Sequence, residues 1–203
     1  MFSRRQFNLS LIATGASTLS LSSWAFTEGK EYIRLPKAIP TQVDAGQLEV
    51  LEFFAYSCVH CYRFEPVLAE WKKTLPARVV VRQIPVQFSP AFEPLAKTFY
   101  AFEALGWLDT LHPRLFAAIH LEKKRVYDEA AIMQWVAQQG VDVAAFQKAY
   151  ASFGIAGKTK RAVQLTNAYA IEGTPSLGIH GQYMVPGQGD RTIQVANELL
   201  KKL

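Results

Sequence analysis

The chain has 203 residues, half of them apolar and 12% aromatic, with a formal charge of +5. That supplies core material for one soluble unit, or one domain with a large insertion. Two of the five surplus charges are Arg4 and Arg5, which leaves no concentrated basic face of the kind that nucleic acid requires, and two cysteines are too few for a disulfide scaffold or a paired-cysteine zinc site.

Residues 1–25 read as an export signal. Ser3-Arg4-Arg5-Gln6-Phe7 is a charged start, and Leu9 to Leu21 is apolar but diluted with Ser, Thr and Gly. Ser23-Trp24-Ala25 offers small residues at the two positions a signal peptidase reads, so cleavage is expected after Ala25. The stretch is shorter than the roughly 20 residues that span a bilayer. Arg-Arg followed by Phe suits a twin-arginine route, and an ordinary Sec signal fits equally well. Either route places the mature chain, residues 26–203, in the bacterial periplasm, where disulfides persist.

From residue 26 to 47 the chain is a polar lead-in with Pro36 and Pro40. Leu48 to Phe54 is mostly apolar and reads as a buried strand. A helix follows from Cys58 to about Leu75, with Phe64, Val67, Leu68 and Trp71 at helical spacing and Pro66 inside it, where a kink is expected. Arg78 to Val86 is β-branched and reads as a second central strand. Strand, helix and strand with short connections form a βαβ unit, so the two strands are expected to be parallel neighbours.

Helical patterns then fill about residues 92–170. They run from Phe92 to Leu105, Leu108 to about Leu121, Asp128 to Gln139, Asp142 to about Phe153, and Lys158 to Ala170. The basic run Lys123-Lys124-Arg125 has no aromatic interleaving and reads as a solvated helix end. Strand signals return from Gly173 to Ile179. His180-Gly181-Gln182 reads as a hairpin turn, Tyr183 to Val185 as its second strand, and Asp190 as the cap of a closing helix.

The chemistry is concentrated at the two cysteines, Cys58 and Cys61. The pair sits at a strand-to-helix turn, where the helix dipole and free backbone N–H groups favour a thiolate on Cys58. An exposed low-pKa thiol beside a partner thiol is equipped for thiol–disulfide exchange. Cys58 is the expected nucleophile. Cys61, one helical turn further, is expected to be buried and to resolve the mixed disulfide. An inert stabilising bridge is disfavoured because so small a ring removes little chain entropy. His60, between the thiols, can direct a hydrogen bond or positive charge at the Cys58 sulfur. Glu52, in an apolar strand, is costly if charged and dry. It is expected to be a proton acceptor for Cys61 through water, with a raised pKa, or else a strand-edge carboxylate facing solvent. His112, His120 and His180 share no ligand spacing and read as structural, and the Phe and Trp stripes of residues 92–170 as core.

Leu51-Glu52-Phe53-Phe54, then Cys58-Val59-His60-Cys61-Tyr62, then a helical block, then Gly173-Thr174-Pro175 before a hairpin, together resemble the DsbA family. The resemblance covers about residues 26–203. It implies an α/β thioredoxin fold with a large helical insertion, about residues 92–170, between the βαβ unit and a C-terminal hairpin-helix unit. It implies a periplasmic oxidoreductase that donates its disulfide to newly exported, unfolded cysteine-containing proteins. A DsbB-like membrane quinone reductase would reoxidise it, with no organic cofactor or metal, and a monomer is expected. The resemblance also implies a cis peptide before Pro175. That geometry turns the Thr174 backbone toward the sulfurs, where it can pair with an extended client segment. Two positions depart from the family: Val59 stands where Pro is common, and Gln83, next to Arg82, where a Lys lies near the matching Glu.

Two other readings compete. A disulfide isomerase or reductase would be kept reduced, and such proteins usually carry a dimerisation domain for which the lead-in before Leu48 leaves no room. A non-catalytic client-binding module would use the helical block and survive loss of Cys58.

Overall fold

The computed structural model describes residues 26–203; the expected export signal at 1–25 lies outside the described residues. A five-stranded sheet runs in the order β1-β5-β4-β2-β3. Its strands are β1 (Ile33–Arg34), β2 (Leu48–Phe54), β3 (Val79–Pro85), β4 (Ser176–Ile179) and β5 (Tyr183–Pro186). The helix α1 (Val59–Thr74) joins β2 to β3, and those strands are parallel neighbours, as the βαβ pattern requires. β4 and β5 form the expected hairpin, with β4 antiparallel to β2. His180 and Gly181 both have positive φ in its three-residue turn, His180 to Gln182.

β2 is the centre of the molecule. All seven of its residues are buried, because strands flank it and helices cover both faces. Side chains alternate along it. Leu48 and Val50 pack with Phe64, Leu68 and Trp71 of α1 and with Val195 and Leu199 of α7 (Asp190–Leu200). Leu51 and Phe53 face a second cluster rich in side chains from the helical block. Each fully buried Phe or Leu of this strand contributes about 1.5–3 kcal/mol of hydrophobic stabilisation. Pro66 lies inside α1 without ending it.

The helical block comprises α2 (Glu93–Leu105), α3 (Leu108–His120), α4 (Glu129–Ala137), α5 (Val143–Tyr150) and α6 (Phe153–Ala168). Phe99, Phe102, Phe116, Trp135 and Phe146 are buried in it, so the aromatic stripes are core. Asp128 and Asp142 cap α4 and α5 by accepting from Ala131 and Ala145 backbone N–H groups. α3 packs beside α1, which brings the block to the dithiol.

Four local expectations change. Ile33 and Arg34 of the polar lead-in form an edge strand against Met184 and Tyr183, a pairing too short to leave a period. α6 starts at Phe153 under a Ser152 cap, five residues before Lys158; Gly154 and Gly157 dilute the helical pattern there. Gly189, not Asp190, caps α7, and Asp190 lies in the first turn, where its charge complements the helix dipole. Lys123, Lys124 and Arg125 are exposed, in the loop after α3.

Candidate active site

Cys58 is the N-cap of α1, with extended backbone (φ −89°, ψ 114°). Its sulfur takes the place of a capping oxygen and accepts the Cys61 backbone N–H at 3.3 Å. The structure describes the pair in its reduced form. Cys58 is partly exposed, and its thiol donates to the Thr174 carbonyl at 3.3 Å. Its pKa falls from an ordinary 9.0 to about 5. The hydrogen bond from the Cys61 thiol is the largest cause, and backbone N–H groups of Cys61 and His60 add to it against partial burial.

Cys61 has no exposed surface. Burial pushes its thiol well above the ordinary range, and the neighbouring Cys58 sulfur pushes the same way. The two sulfurs therefore differ in kind: one a ready thiolate at the surface, the other a thiol held in the dry interior.

The Thr174-Pro175 peptide is cis and Pro175 is buried, next in the chain to the Thr174 carbonyl that meets Cys58. Gly187, just past β5, supports this loop. A Cβ added there would lie 2.4 Å from the Pro175 carbonyl oxygen, so only glycine lets the chains approach this closely. A groove of about 410 Å³ runs beside the pair, lined by His60, Arg63, Val67, Thr174, Pro175 and Gly187 among others. A smaller apolar hollow of about 210 Å³ lies near the turn, lined by Tyr56, Ser57, Val86, Phe92 and Tyr127. His60 is exposed. Its backbone N–H, rather than its ring, acts on the Cys58 sulfur, and the ring lines the groove.

Glu52 is wholly buried in β2, not at a strand edge facing solvent. Burial raises its pKa well above the ordinary carboxylate value, and the charge of Glu65 pushes it further. Gln83 stands opposite it in the β2–β3 register and donates its side-chain amide to Glu52 Oε2 at 2.8 Å. Arg82 does not partner Glu52. One residue from Gln83, it points to the other face of the sheet and pairs with Glu49.

The same Gln83 nitrogen lies 2.9 Å from Glu65 Oε1, on α1. His112, on α3, is buried with Nε2 3.3 Å from Glu65 Oε1 and Nδ1 2.7 Å from the Tyr56 hydroxyl. Sequence reasoning passed over Glu65, Tyr56 and the place of His112 in this cluster. One signal was available: Glu65 is four residues after Cys61, on the same side of the helix. His120 stacks on Tyr62 and bonds the Tyr56 carbonyl oxygen, and His180 accepts the Glu49 N–H in the hairpin turn. Among the described residues no cluster of His, Cys, Asp or Glu is arranged to hold a metal ion.

Residues 49–199 match the DSBA-like thioredoxin domain. The chain is 40% identical over 176 residues to the thiol:disulfide interchange protein DsbA of Bordetella pertussis, covering 87% of this chain and 83% of that one. It is 32% identical over 204 residues to the DsbA of Pseudomonas aeruginosa, covering 98% and 96%. The crystal structure of Pseudomonas aeruginosa DsbA superimposes with a TM-score of 0.82 at 33% identity, covering 87% of this chain and 94% of that one. The oxidoreductase NmDsbA1 from N. meningitidis superimposes with a TM-score of 0.77 at 28% identity, covering 87% and 93%.

Proposed function

The chain belongs to the DsbA family of thiol–disulfide oxidoreductases, and from that premise we propose how its dithiol works and on what. A client thiolate attacks the sulfur of Cys58 in the oxidised pair. The Cys58–Cys61 bond breaks, a mixed disulfide forms at Cys58, and Cys61 leaves as a thiolate that takes up a proton. A second client thiolate attacks the client sulfur of the mixed disulfide. The client leaves with its new disulfide, and Cys58 remains as a thiolate. Two electrons have moved from client to enzyme.

The observation that carries this reading is the capped Cys58 sulfur, partly exposed at the α1 N-terminus with its pKa near 5. Stabilising the thiolate stabilises the reduced enzyme, which makes the disulfide a stronger oxidant. Thr174 offers backbone groups beside the sulfur for an extended client strand, and Pro175 holds that backbone in place. Glu52 supplies and accepts the proton of Cys61. Val59, the first residue of α1, is 40% exposed and adds apolar surface next to the pair.

The clients are newly exported, unfolded proteins with cysteines, met in the periplasm by a monomer. Reoxidation is the work of a DsbB-like membrane quinone reductase. No described helix is long and apolar enough to cross a membrane. The test is the equilibrium of the purified protein with glutathione, read by alkylation. A potential well above the thioredoxin value of about −270 mV supports an oxidase; one near that value rejects it.

A further inference from the structure

Counting hydrogens at Gln83, in the cluster behind Cys61, assigns the hydrogen on His112. The side-chain amide of Gln83 has two N–H donors. They go to Glu52 Oε2 at 2.8 Å and Glu65 Oε1 at 2.9 Å. Nothing is left for the third contact, His112 Nε2 at 3.3 Å. His112 Nε2 must therefore carry its own hydrogen, which it directs at Glu65 Oε1, 3.3 Å away. Neutral His112 then accepts the Tyr56 hydroxyl on Nδ1 at 2.7 Å. Protonated His112 keeps the same contact with the donor reversed. In both forms the two ring nitrogens keep the same partners, Glu65 and Tyr56.

The cluster holds two carboxylates bridged by a neutral amide. Arg82 is turned away to Glu49. The other charged groups that face the cluster are Arg63 and Lys72 of α1 and Asp109 of α3, which line the groove between those helices. Neither cation makes an ion pair with Glu52 or Glu65 among the described residues. That groove, about 820 Å³, also reaches Glu65, Gln83 and His112, so solvent protons have a route to the cluster.

We propose that His112 is a positioning residue for proton transfer at Cys61: protonated, it balances the Glu52–Glu65 pair once Glu52 has given up its proton, and the replacement proton enters by the α1–α3 groove. This rests on the reading of Glu52 as the proton partner of Cys61. In the step concerned, a client thiolate bonds to the Cys58 sulfur and the Cys58–Cys61 bond breaks. Cys61 takes the proton of Glu52 and becomes a thiol. Glu52 becomes a carboxylate beside Glu65, and is reset by a proton from solvent.

The experiment is acid-quenched single-turnover reduction of the oxidised full chain by excess glutathione. Rates are taken from pH 5 to 9 and normalised to the thiolate fraction of the reductant. In His112→Gln the rate at pH 7 should fall at least about tenfold, and its fall with rising pH should flatten. Adding Gln83→Lys, which puts a fixed cation between the carboxylates, should restore the rate without restoring the pH dependence. A fold defect from losing His112 would not be repaired in that pattern, so a double variant as slow as the single one overturns the proposal. So does a His112→Gln profile matching the parent when Glu52→Gln is slow. If Glu52→Gln itself runs at the parent rate, the underlying reading of Glu52 fails instead.

Discussion

The two sulfurs of this dithiol are three residues apart and live in opposite surroundings. Cys58 sits at the end of a helix, where N–H groups have no helical partner, and its thiol is driven down to about 5. Cys61 sits one turn inside, without exposed surface, and its thiol is driven up. Nothing in the chemistry of cysteine distinguishes them. The first turn of α1 does, by ending at one and closing over the other. The comparison shows that a reactive disulfide can be made from position alone: one sulfur is placed to be attacked, the other to leave and wait.

The most forceful way to break the contrast is to remove one side of it. Cys58→Ser should lose client oxidation altogether, because the attacked sulfur is gone, while Cys61→Ala should accumulate mixed disulfides at Cys58 that mass spectrometry identifies. Retained activity in the Cys58→Ser variant would return the chain to the client-binding reading.

Titration sharpens the contrast next. Thiolate absorbance of the reduced protein should rise with one midpoint near 5, from Cys58, while Cys61 stays a thiol over that range. The Cys58 value is depressed on folding. Its contribution to the stability of the reduced protein is therefore complete above about pH 9 and lost as pH falls through about 5. Denaturation of reduced and oxidised protein should then differ most at neutral and alkaline pH and converge toward acid. A midpoint like that of free cysteine would remove the basis for an oxidising disulfide.

Gly187→Ala tests the support of the Cys58 side. The added methyl group meets the Pro175 carbonyl oxygen, so the loop carrying Thr174 must shift, at a cost of about 2 kcal/mol read as a lower denaturant midpoint. An unchanged midpoint would show that the loop yields freely. On the Cys61 side, Glu52→Gln should have the smallest effect on stability, about 1 kcal/mol, and in the opposite direction. The raised value of Glu52 means that its protonated form suits the fold. Its contribution is present at low pH and lost as pH rises. The Gln variant should therefore gain on the parent as pH increases, and a gap that does not change with pH would contradict the burial argument.

Much of this was legible beforehand. The βαβ unit, the hairpin and most of the five helices between them follow from spacing and from Gly and Asp at helix ends. Errors fell where local signals were weak: a two-residue edge strand, a helix start diluted by Gly154 and Gly157, and a cap assigned to Asp190 instead of Gly189. The site divided in the same way. Cys58, Cys61, His60, Thr174 and Pro175 stand out as motifs. Gln83, Glu65, His112 and Tyr56 do not, because each lies on a different segment and has ordinary neighbours in the chain.

The amino-acid order alone determined the class of chemistry, since a lone vicinal dithiol at a strand-to-helix turn has few uses, and it determined which layers would form. Only the packed molecule decided what Glu52 touches. Register set Gln83 rather than Arg82 against it, because neighbouring side chains on a strand point to opposite faces. The packing of α3 against α1 then delivered His112 to the same place, a contact between residues 47 positions apart from Glu65 that no local pattern encodes.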